Sequence, residues 1–266
     1  IFIAEMGARH VGDIAELCQI CPPDISLITG ICGQHLETFG TFQNVVKAKG
    51  EILDYTAERA VIADDCFDLF ADYACEKSRC DCVSDIECSC KGTEFTLTLG
   101  GESRRVKTKL LGRHSAYNIA LAAEGAFAAG MTVDEIAEGV AGIDFIEHRL
   151  QLIEANGVNI LDDGYNSNVK GARAALEVLK SFGGRKIVVT PGLVELGVLE
   201  EEENYSLGKE LVGFDFVILV GDTLIQPVRR GYFDNGGEEG KIRLLPNLPE
   251  AQEVLKGFIC QGDTVL

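Results

Sequence analysis

The chain has 266 residues, and its 24 Lys and Arg against 42 Asp and Glu give a net charge of −18. A chain of this charge, without a basic stripe, repels a phosphate backbone, which argues against a nucleic-acid partner. Hydrophobic residues make up 46%, an ordinary globular balance. No apolar run approaches the roughly 20 residues that span a bilayer, which argues against a membrane partner.

The first 75 residues alternate between strand-like and helix-like segments. In chain order we predict a strand at 1–5, a helix at 12–20, a strand at 25–29, a helix at 41–55, a strand at 60–63 and a helix near 66–75. Such alternation is typical of a parallel sheet covered by helices.

Ten cysteines suggest a metal site, above all in "CDCVSDIECSC", which contains Cys80, Cys82, Cys88 and Cys90. Zinc ribbons pair cysteines as C-x₂₋₄-C, whereas these pairs are C-x-C. In a strand that spacing places both thiols on one face, about 7 Å apart. We therefore predict reduced thiols in a β meander with the following hairpin-like stretch, sensitive to oxidation where they are exposed.

The second half begins with helices and then returns to alternation. We predict helices in "GRHSAYNIALAAEGAFAAG" and from Thr132, a hairpin turning at Asn156-Gly157, and then helix 169–182, strand "KIVVT", helix 199–212, strand "FVILVG" and helix 249–257. We place a domain boundary near Glu147 to Arg149. Domains 1–148 and 149–266 follow, the second a small open α/β sheet.

Polar residues stand where several predicted strands end, and ligand sites of open α/β sheets lie at the carboxyl ends of strands. They are Glu5, His35, Asp162 and Asp163, with Asn166 and Asn168 close behind. Each has an alternative: a solvated strand end for Glu5, a structural hydrogen bond for His35, and a cap for the helix near Val169 for the aspartates and the asparagines. Spacing alone does not decide between these.

Six stretches occur together and in a fixed order: "EMGARHVGDIAEL", "PDISLITGICGQHLETFG", "VVKAKGEIL", "GRHSAYNIALAA", "EHRLQLI" and "DDGYNSN". In this order they resemble the landmarks of the Mur ligase family, most closely its MurF branch, across nearly the whole chain. The resemblance implies part of a central ATPase domain followed by a smaller Rossmann-like α/β domain. It also implies an ATP-dependent ligase of peptidoglycan precursor synthesis, a monomer in the bacterial cytoplasm.

The resemblance also implies substrates and site residues. The substrates are ATP, UDP-MurNAc-tripeptide and D-alanyl-D-alanine, which are joined through an acyl phosphate. Glu5 and His35 would help hold Mg²⁺, and Lys49 would be carbamylated by CO₂, with His35 and Lys49 as catalytic residues. Asn118 would contact adenine, Arg149 the ATP phosphates, Asp163 the ribose and phosphate region, and Tyr165, Asn166 and Asn168 the incoming dipeptide. Lys47 has no such role.

A carbamylated lysine makes chemical sense. Only a neutral amine attacks CO₂, and partial burial lowers the pKa of a lysine. The oxygens of the product are hard ligands suited to Mg²⁺. Arg149 stands at the predicted domain boundary, so we expect domain closure to bring it onto the nucleotide.

The chain departs from the family pattern in three places. It contains no glycine-rich loop ending in Gly-Lys-Thr, which in the family lies upstream of the residue matching Glu5 and cradles the phosphates. We therefore expect a fragment with about half of the nucleotide site, which does not turn over alone. Ser115 replaces a usual Asn, and "TPGLVELG" replaces a Gly-Asp-Met pattern. Another Mur-type amino-acid ligase and a non-catalytic α/β binding module remain as alternatives.

Overall fold

The computed structural model describes residues 1–32, 36–165 and 168–266. They form two compact units, the first of residues 1–88, 92–109 and 113–143, the second of residues 89–91, 110–112 and 144–266. Each unit has its own sheet or sheets. In the part of the chain described, every helix is too short or too polar to cross a bilayer.

The first unit contains two three-stranded sheets. Its strands are β1 (Ile25–Ile28), β2 (Arg59–Ala63), β3 (Lys77–Cys80), β4 (Val83–Ser89), β5 (Gly92–Leu99) and β6 (Glu102–Thr108). Its helices are α1 (Asp13–Ile20), α2 (Leu36–Phe39), α3 (Phe42–Gly50), α4 (Arg113–Ala128) and α5 (Val133–Gly142). Strands β1, β2 and β3 are parallel in that order, and β4, β5 and β6 form the second sheet. The predicted parallel sheet is confirmed.

Helix α4 covers the parallel sheet and also contacts β5. Its buried face consists mostly of small residues, including Ala116, Ala120 and Ala123, which let the helix approach the strands closely. The next helix, α5, begins with a capping box at Thr132, where a helix start was predicted: the Thr132 side chain accepts from the Glu135 N–H, and the Glu135 carboxylate accepts from the Thr132 N–H. Local sequence thus sets the start of α5.

Two predictions about the start of the chain are wrong. Residues 1–5 form no strand, and Ile1, Phe2 and Ile3 are at least 80% exposed. An apolar run becomes a strand only where a neighbour takes its backbone hydrogen bonds, and no described strand pairs with this one. The helix predicted at 41–55 is shorter than expected. Helix α3 ends at Gly50, and a 3-10 segment, Glu51–Asp54, follows it.

Two further predictions in the first unit need correction. The helix expected near 66–75 is a 3-10 segment, Asp64–Phe70. The cysteine-rich stretch divides between two sheets, since Cys80 ends β3 in register with Ala63 of β2, whereas Cys88 lies in β4. Among the described residues, no cysteine forms a disulfide bond.

The second unit is a six-stranded sheet with helices on both faces. Its strands are β7 (Gln151–Ala155), β8 (Val158–Asp162), β9 (Lys186–Thr190), β10 (Phe216–Val220), β11 (Ile242–Leu245) and β12 (Thr264–Val265). Its helices are α6 (Val169–Lys180), α7 (Glu200–Leu211), α8 (Ile225–Asp234) and α9 (Leu248–Phe258). The strand order is β11-β10-β9-β12-β8-β7, parallel except for β7. The expected open α/β sheet is confirmed, although α8 and β11 were not predicted.

Strand β10 shows how the two faces are built. Its side chains alternate, so that Val217 and Leu219 join the cluster beneath α6, α7 and α8. Phe216 and Ile218 point to the opposite face and join the cluster beneath α9. A central strand buried on both faces needs a continuous apolar run, and "FVILV" supplies it.

Helices α7 and α8 pack with no side chain between them at two points. A Cβ at Gly208 would overlap the carbonyl oxygen of Val228, and a Cβ at Gly231 would overlap the carbonyl oxygen of Tyr205. Each glycine therefore lies directly against the backbone of the other helix. The pair buries Leu207, Leu211 and Tyr232 in the same cluster beneath it.

Candidate functional site

Lys49 lies in the last turn of α3. The N-cap residue of this helix is Thr41, whose hydroxyl accepts from the Asn44 N–H. Val45 and Ala48 lie on the buried face of this helix. Lys49 is half-buried beside that face, whereas Lys47 is exposed. In the described part of the chain the Lys49 ammonium has no ion pair. Of the two lysines, Lys49 is the one held at the edge of the core.

Glu51 follows Lys49 by two residues, and its side chain binds the N-terminus of helix α1. Its carboxylate accepts from the Gly12 N–H at 2.6 Å and from the Ala15 N–H at 3.0 Å. These amides belong to the first turn of α1, where backbone donors lack helical partners and a negative charge is favourable. No sequence pattern points to Glu51, because its partners lie more than thirty residues away along the chain.

The segment that carries Glu5 has no regular structure, and Glu5 itself is exposed. Three residues later Ala8 packs on a hydrophobic cluster that contains Ala48, next to Lys49. His35 lies outside the described residues, but the same cluster contains Ile31 and Phe39 on either side of it. Described residues before and after His35, and residues close to Glu5 and Lys49, thus pack in one cluster.

Helix α4 presents the residues of the predicted adenine motif. Asn118 is exposed, whereas Ser115 is buried. The His114 imidazole is largely enclosed, and this burial lowers its pKa. Within the described residues no partner reaches His114 Nδ1. Asn118, one helical turn after His114, is thus exposed on the surface of α4.

In the second unit, the chain before β7 is tied to the chain after β8. The Leu150 N–H donates to Asp163 Oδ1 at 3.0 Å, and the Tyr165 N–H donates to the His148 carbonyl at 3.2 Å. His148 Nδ1 lies 2.7 Å from Asp162 Oδ2. These bonds hold His148 at φ 61° and Leu150 at φ 47°, which is costly backbone for residues other than glycine.

Arg149 stands between the two strained residues and is exposed. Its guanidinium lies 4.3 Å from the centroid of the Tyr165 ring, a favourable cation–π contact. Because His148 and Leu150 are fixed on either side, Arg149 is presented on a rigid backbone. His148, which had no predicted role, is thus one of the residues that fix the backbone at Arg149.

Asp163 is half-buried beside this segment. Burial raises the pKa of its carboxyl, an effect opposed by the Leu150 N–H and the Arg149 charge. The neighbouring carboxylate of Asp162 accepts from the Gly164 N–H at 3.1 Å. Neither aspartate caps α6, so that alternative is wrong.

Asn168 is the N-cap residue of α6, and its side-chain oxygen accepts from the Gly171 N–H at 2.8 Å. Capping therefore occupies this oxygen and leaves the amide group for other contacts. Tyr165 is exposed apart from its contact with Arg149. Asn166 lies outside the described residues.

Replacing Asp163 by asparagine is expected to raise the free energy of unfolding at pH 7. The folded protein binds the Asp163 proton more tightly than the unfolded chain does, so stability falls as pH rises between the ordinary pKa of 3.8 and its raised folded value. Asparagine keeps an acceptor for Leu150 and cannot ionise. Denaturant unfolding from pH 3 to 7 checks this. A variant that is less stable at pH 7, with an unchanged pH slope, would contradict the prediction.

The loop after β9, part of "TPGLVELG", is held by hydrogen bonds from Asn204, a residue that was not predicted to have a role. Asn204 of α7 is fully buried, and its Oδ1 accepts from the Leu193 N–H at 2.8 Å. Its Nδ2 donates to the carbonyls of Leu193 and Glu200, each at 2.9 Å. A signal was present, because Asn204 shares the helical phase of the buried Leu207 and Leu211 and interrupts an apolar stripe.

The described residues contain no group of three or more His, Cys, Asp or Glu that could hold a metal ion. The magnesium ligands that the resemblance implies are of a different kind, since one is a modified lysine and another, His35, is not described. Hard oxygen donors on Glu5 and a carbamylated Lys49 match what Mg²⁺ prefers. The donor chemistry therefore fits.

Comparison with known proteins gives matches over both units. Residues 1–126 match the model of the Mur ligase middle domain, and residues 148–266 match that of the Mur ligase glutamate ligase domain. The UDP-N-acetylmuramoyl-tripeptide–D-alanyl-D-alanine ligase of Escherichia coli strain K12 is 32% identical over 82% of this chain and 52% of its own length. The ligase of the same name from Bacillus subtilis strain 168 is 30% identical over 78% and 48%.

Solved structures agree with this assignment. A MurF ligase from Thermotoga maritima in complex with ADP superimposes with a TM-score of 0.85, at 26% identity, covering 98% of this chain and 62% of that one. The chain spans about half the length of the two curated relatives above. With two successive domain models that together cover most of its residues, the chain belongs to the Mur ligase family.

Proposed function

We propose that this chain is part of a MurF-type ligase, which uses ATP to join UDP-MurNAc-tripeptide to D-alanyl-D-alanine in the synthesis of peptidoglycan precursors. The observation that carries the proposal is the match to the E. coli ligase of that name, at 32% identity over 82% of this chain. The Thermotoga maritima structure with ADP supports an adenine nucleotide as the energy source. We also propose that the enzyme is cytoplasmic and monomeric.

The proposed reaction places specific demands on the residues of the first unit. Lys49, carbamylated, would hold Mg²⁺ together with Glu5 and His35, and Asn118 would bind adenine. Bound there, Mg²⁺ would neutralise charge that develops on the phosphates. The packing of Ala8, Ile31, Phe39 and Ala48 in one cluster supports this assignment, as does the exposed position of Asn118 on α4.

The second unit would supply the remaining contacts. Arg149 has five fixed N–H donors suited to phosphate oxygens, and the bonds on either side of it reduce the entropy lost when it binds. Asp163 would contact the ribose and phosphate region. Tyr165, Asn166 and Asn168 would lie near the incoming dipeptide, with Asn168 using the amide group that capping leaves available.

Substrate choice tests the proposal. The polypeptide of the complete reading frame would be assayed for ATP-dependent product formation with D-alanyl-D-alanine and, separately, with single amino acids. We expect product and phosphate release with the dipeptide, measured by mass spectrometry and a phosphate assay. Activity only with a single amino acid would identify another Mur-type ligase, and no ATP-dependent ligation with any acceptor would identify a binding module. Light scattering would check the monomer.

A further inference from the structure

Residues 6–12, which lead from Glu5 into helix α1, form a loop that is fastened to the first turn of that helix. The Asp13 carboxylate accepts from the N–H of Arg9 at 2.8 Å and from the N–H of His10 at 2.9 Å. Hydrogen bonds to an ionised acceptor are about twice as strong as neutral ones. The position of this loop is therefore set by the position of α1.

The end of α3 is packed against a pair of aromatic rings. Gly50 is the last residue of this helix and directly follows Lys49, and a Cβ on Gly50 would overlap the hydroxyl of Tyr73. The side chain of Phe70 lies against the same point, and its ring meets that of Tyr73 edge to face. The backbone beside Lys49 thus has no room to shift toward these rings.

Glu51 joins these two parts of the first unit. Its Oε1 accepts from the Gly12 N–H at 2.6 Å, and its Oε2 accepts from the Ala15 N–H at 3.0 Å. Because each oxygen has its own donor, the carboxylate is held in one orientation between the residue that follows α3 and the first turn of α1. The placement of α1 and its loop relative to Lys49 therefore depends on this side chain.

We propose that Glu51 is a positioning residue of the ligase reaction, which keeps the segments that carry Glu5 and Lys49 in register. This inference rests on the proposed function, in which both residues hold Mg²⁺. Glu51 acts through Lys49 rather than on a substrate, since backbone amides hold its carboxylate. Catalytic groups have to be placed within about 0.5 Å of their working geometry, so loss of this link is expected to impair catalysis.

Hydrogen exchange of the metal-free chain tests the link itself. Glu51→Ala removes both acceptors, so exchange of the Gly12 and Ala15 amides, followed by NMR, should accelerate at least about tenfold. Glu51→Gln keeps one acceptor oxygen and should give a smaller acceleration, which also serves if alanine unfolds the chain. Asp54→Ala is the matched control, because Asp54 lies exposed in the same 3-10 segment and accepts no hydrogen bond in the described part of the chain. Unchanged exchange in both Glu51 variants would overturn the proposal.

Kinetics of the complete enzyme test whether Glu51 acts through Lys49. Glu51→Ala should lower kcat at least about tenfold, because a misplaced reacting group is costly, while KM for the dipeptide stays within about twofold of the parent value. In a Lys49→Ala background the same change should lower kcat less than about twofold, since residues that act together are not additive. Glu51→Gln should recover part of the loss, and Asp54→Ala should change neither parameter.

The outcomes separate this inference from the proposed function. A parent enzyme that does not ligate the dipeptide would refute the proposed function and this inference with it. An active parent whose kcat is unchanged by Glu51→Ala would refute this inference alone. An equal loss of kcat in the parent and in the Lys49→Ala background would do the same, because it would mean that Glu51 only stabilises the fold.

Discussion

Replacing Lys49 by alanine in the complete enzyme is expected to lower kcat for ligation by on the order of 10³-fold. The proposed carbamate would contribute oxygen ligands to Mg²⁺, and metal stabilisation of transition-state charge is worth several kcal/mol, or about 10³-fold in rate. Added short carboxylic acids should restore part of the activity, because they supply the missing oxygens. Product formation and phosphate release, measured with and without such acids, check both parts.

The chain contains a matched control for this experiment. Lys47 lies on the same helix but is exposed, so Lys47→Ala should leave kcat close to that of the parent enzyme. Lys49→Arg separates the two roles that a lysine can have, since arginine keeps the positive charge and cannot form the carbamate. An active Lys49→Arg enzyme, or a Lys49→Ala enzyme with full activity, would show that the carbamate assignment is wrong.

Replacing Asn204 by alanine is expected to lower the free energy of unfolding by about 3 kcal/mol. The change removes three hydrogen bonds and leaves the N–H and carbonyl of Leu193 without partners inside the protein. A buried polar group without a partner costs about 1–3 kcal/mol. Urea unfolding followed by circular dichroism measures the change.

Asn235 offers a control for the Asn204 experiment. Its amide also donates to a helix carbonyl, that of Gly231, but the residue is exposed at the end of α8. Water can replace that bond, so Asn235→Ala should cost no more than about 0.5 kcal/mol. Equal losses in the two variants would mean that the buried network around Asn204 contributes little.

Elements that depend on local sequence could be predicted. The capping box set the start of α5. Asn156 and Gly157, at φ 52° and 77°, set the turn between β7 and β8 as expected. Elements that depend on distant partners could not be predicted. Residues 1–5 have strand composition, but no strand among the described residues lies beside them, and the four residues of β11 are too few to show a period.

The same distinction applies to the candidate site. Family resemblance pointed to Arg149 and Asp163, but no pattern showed that Leu150 adopts φ 47° to bind the Asp163 carboxylate. Glu51 binds amides 36 and 39 residues away, a relation that spacing does not reveal. The assumption of an extended strand likewise failed at Cys82, where the chain bends. The long-range hydrogen bonds that hold candidate residues are visible only in the structure.

The contact between α7 and α8 has a consequence for how this fold can vary. At Gly208 and Gly231 the available space is filled by the main chain of the opposite helix, so any side chain there would push the helices apart. Gly208 and Gly231 therefore cannot be replaced, in evolution or by engineering, without moving the two helices apart. New binding properties on this side of the molecule have to come from the connecting segments, 212–215, 221–224 and 235–241, whose lengths can change while the helix pair stays as it is.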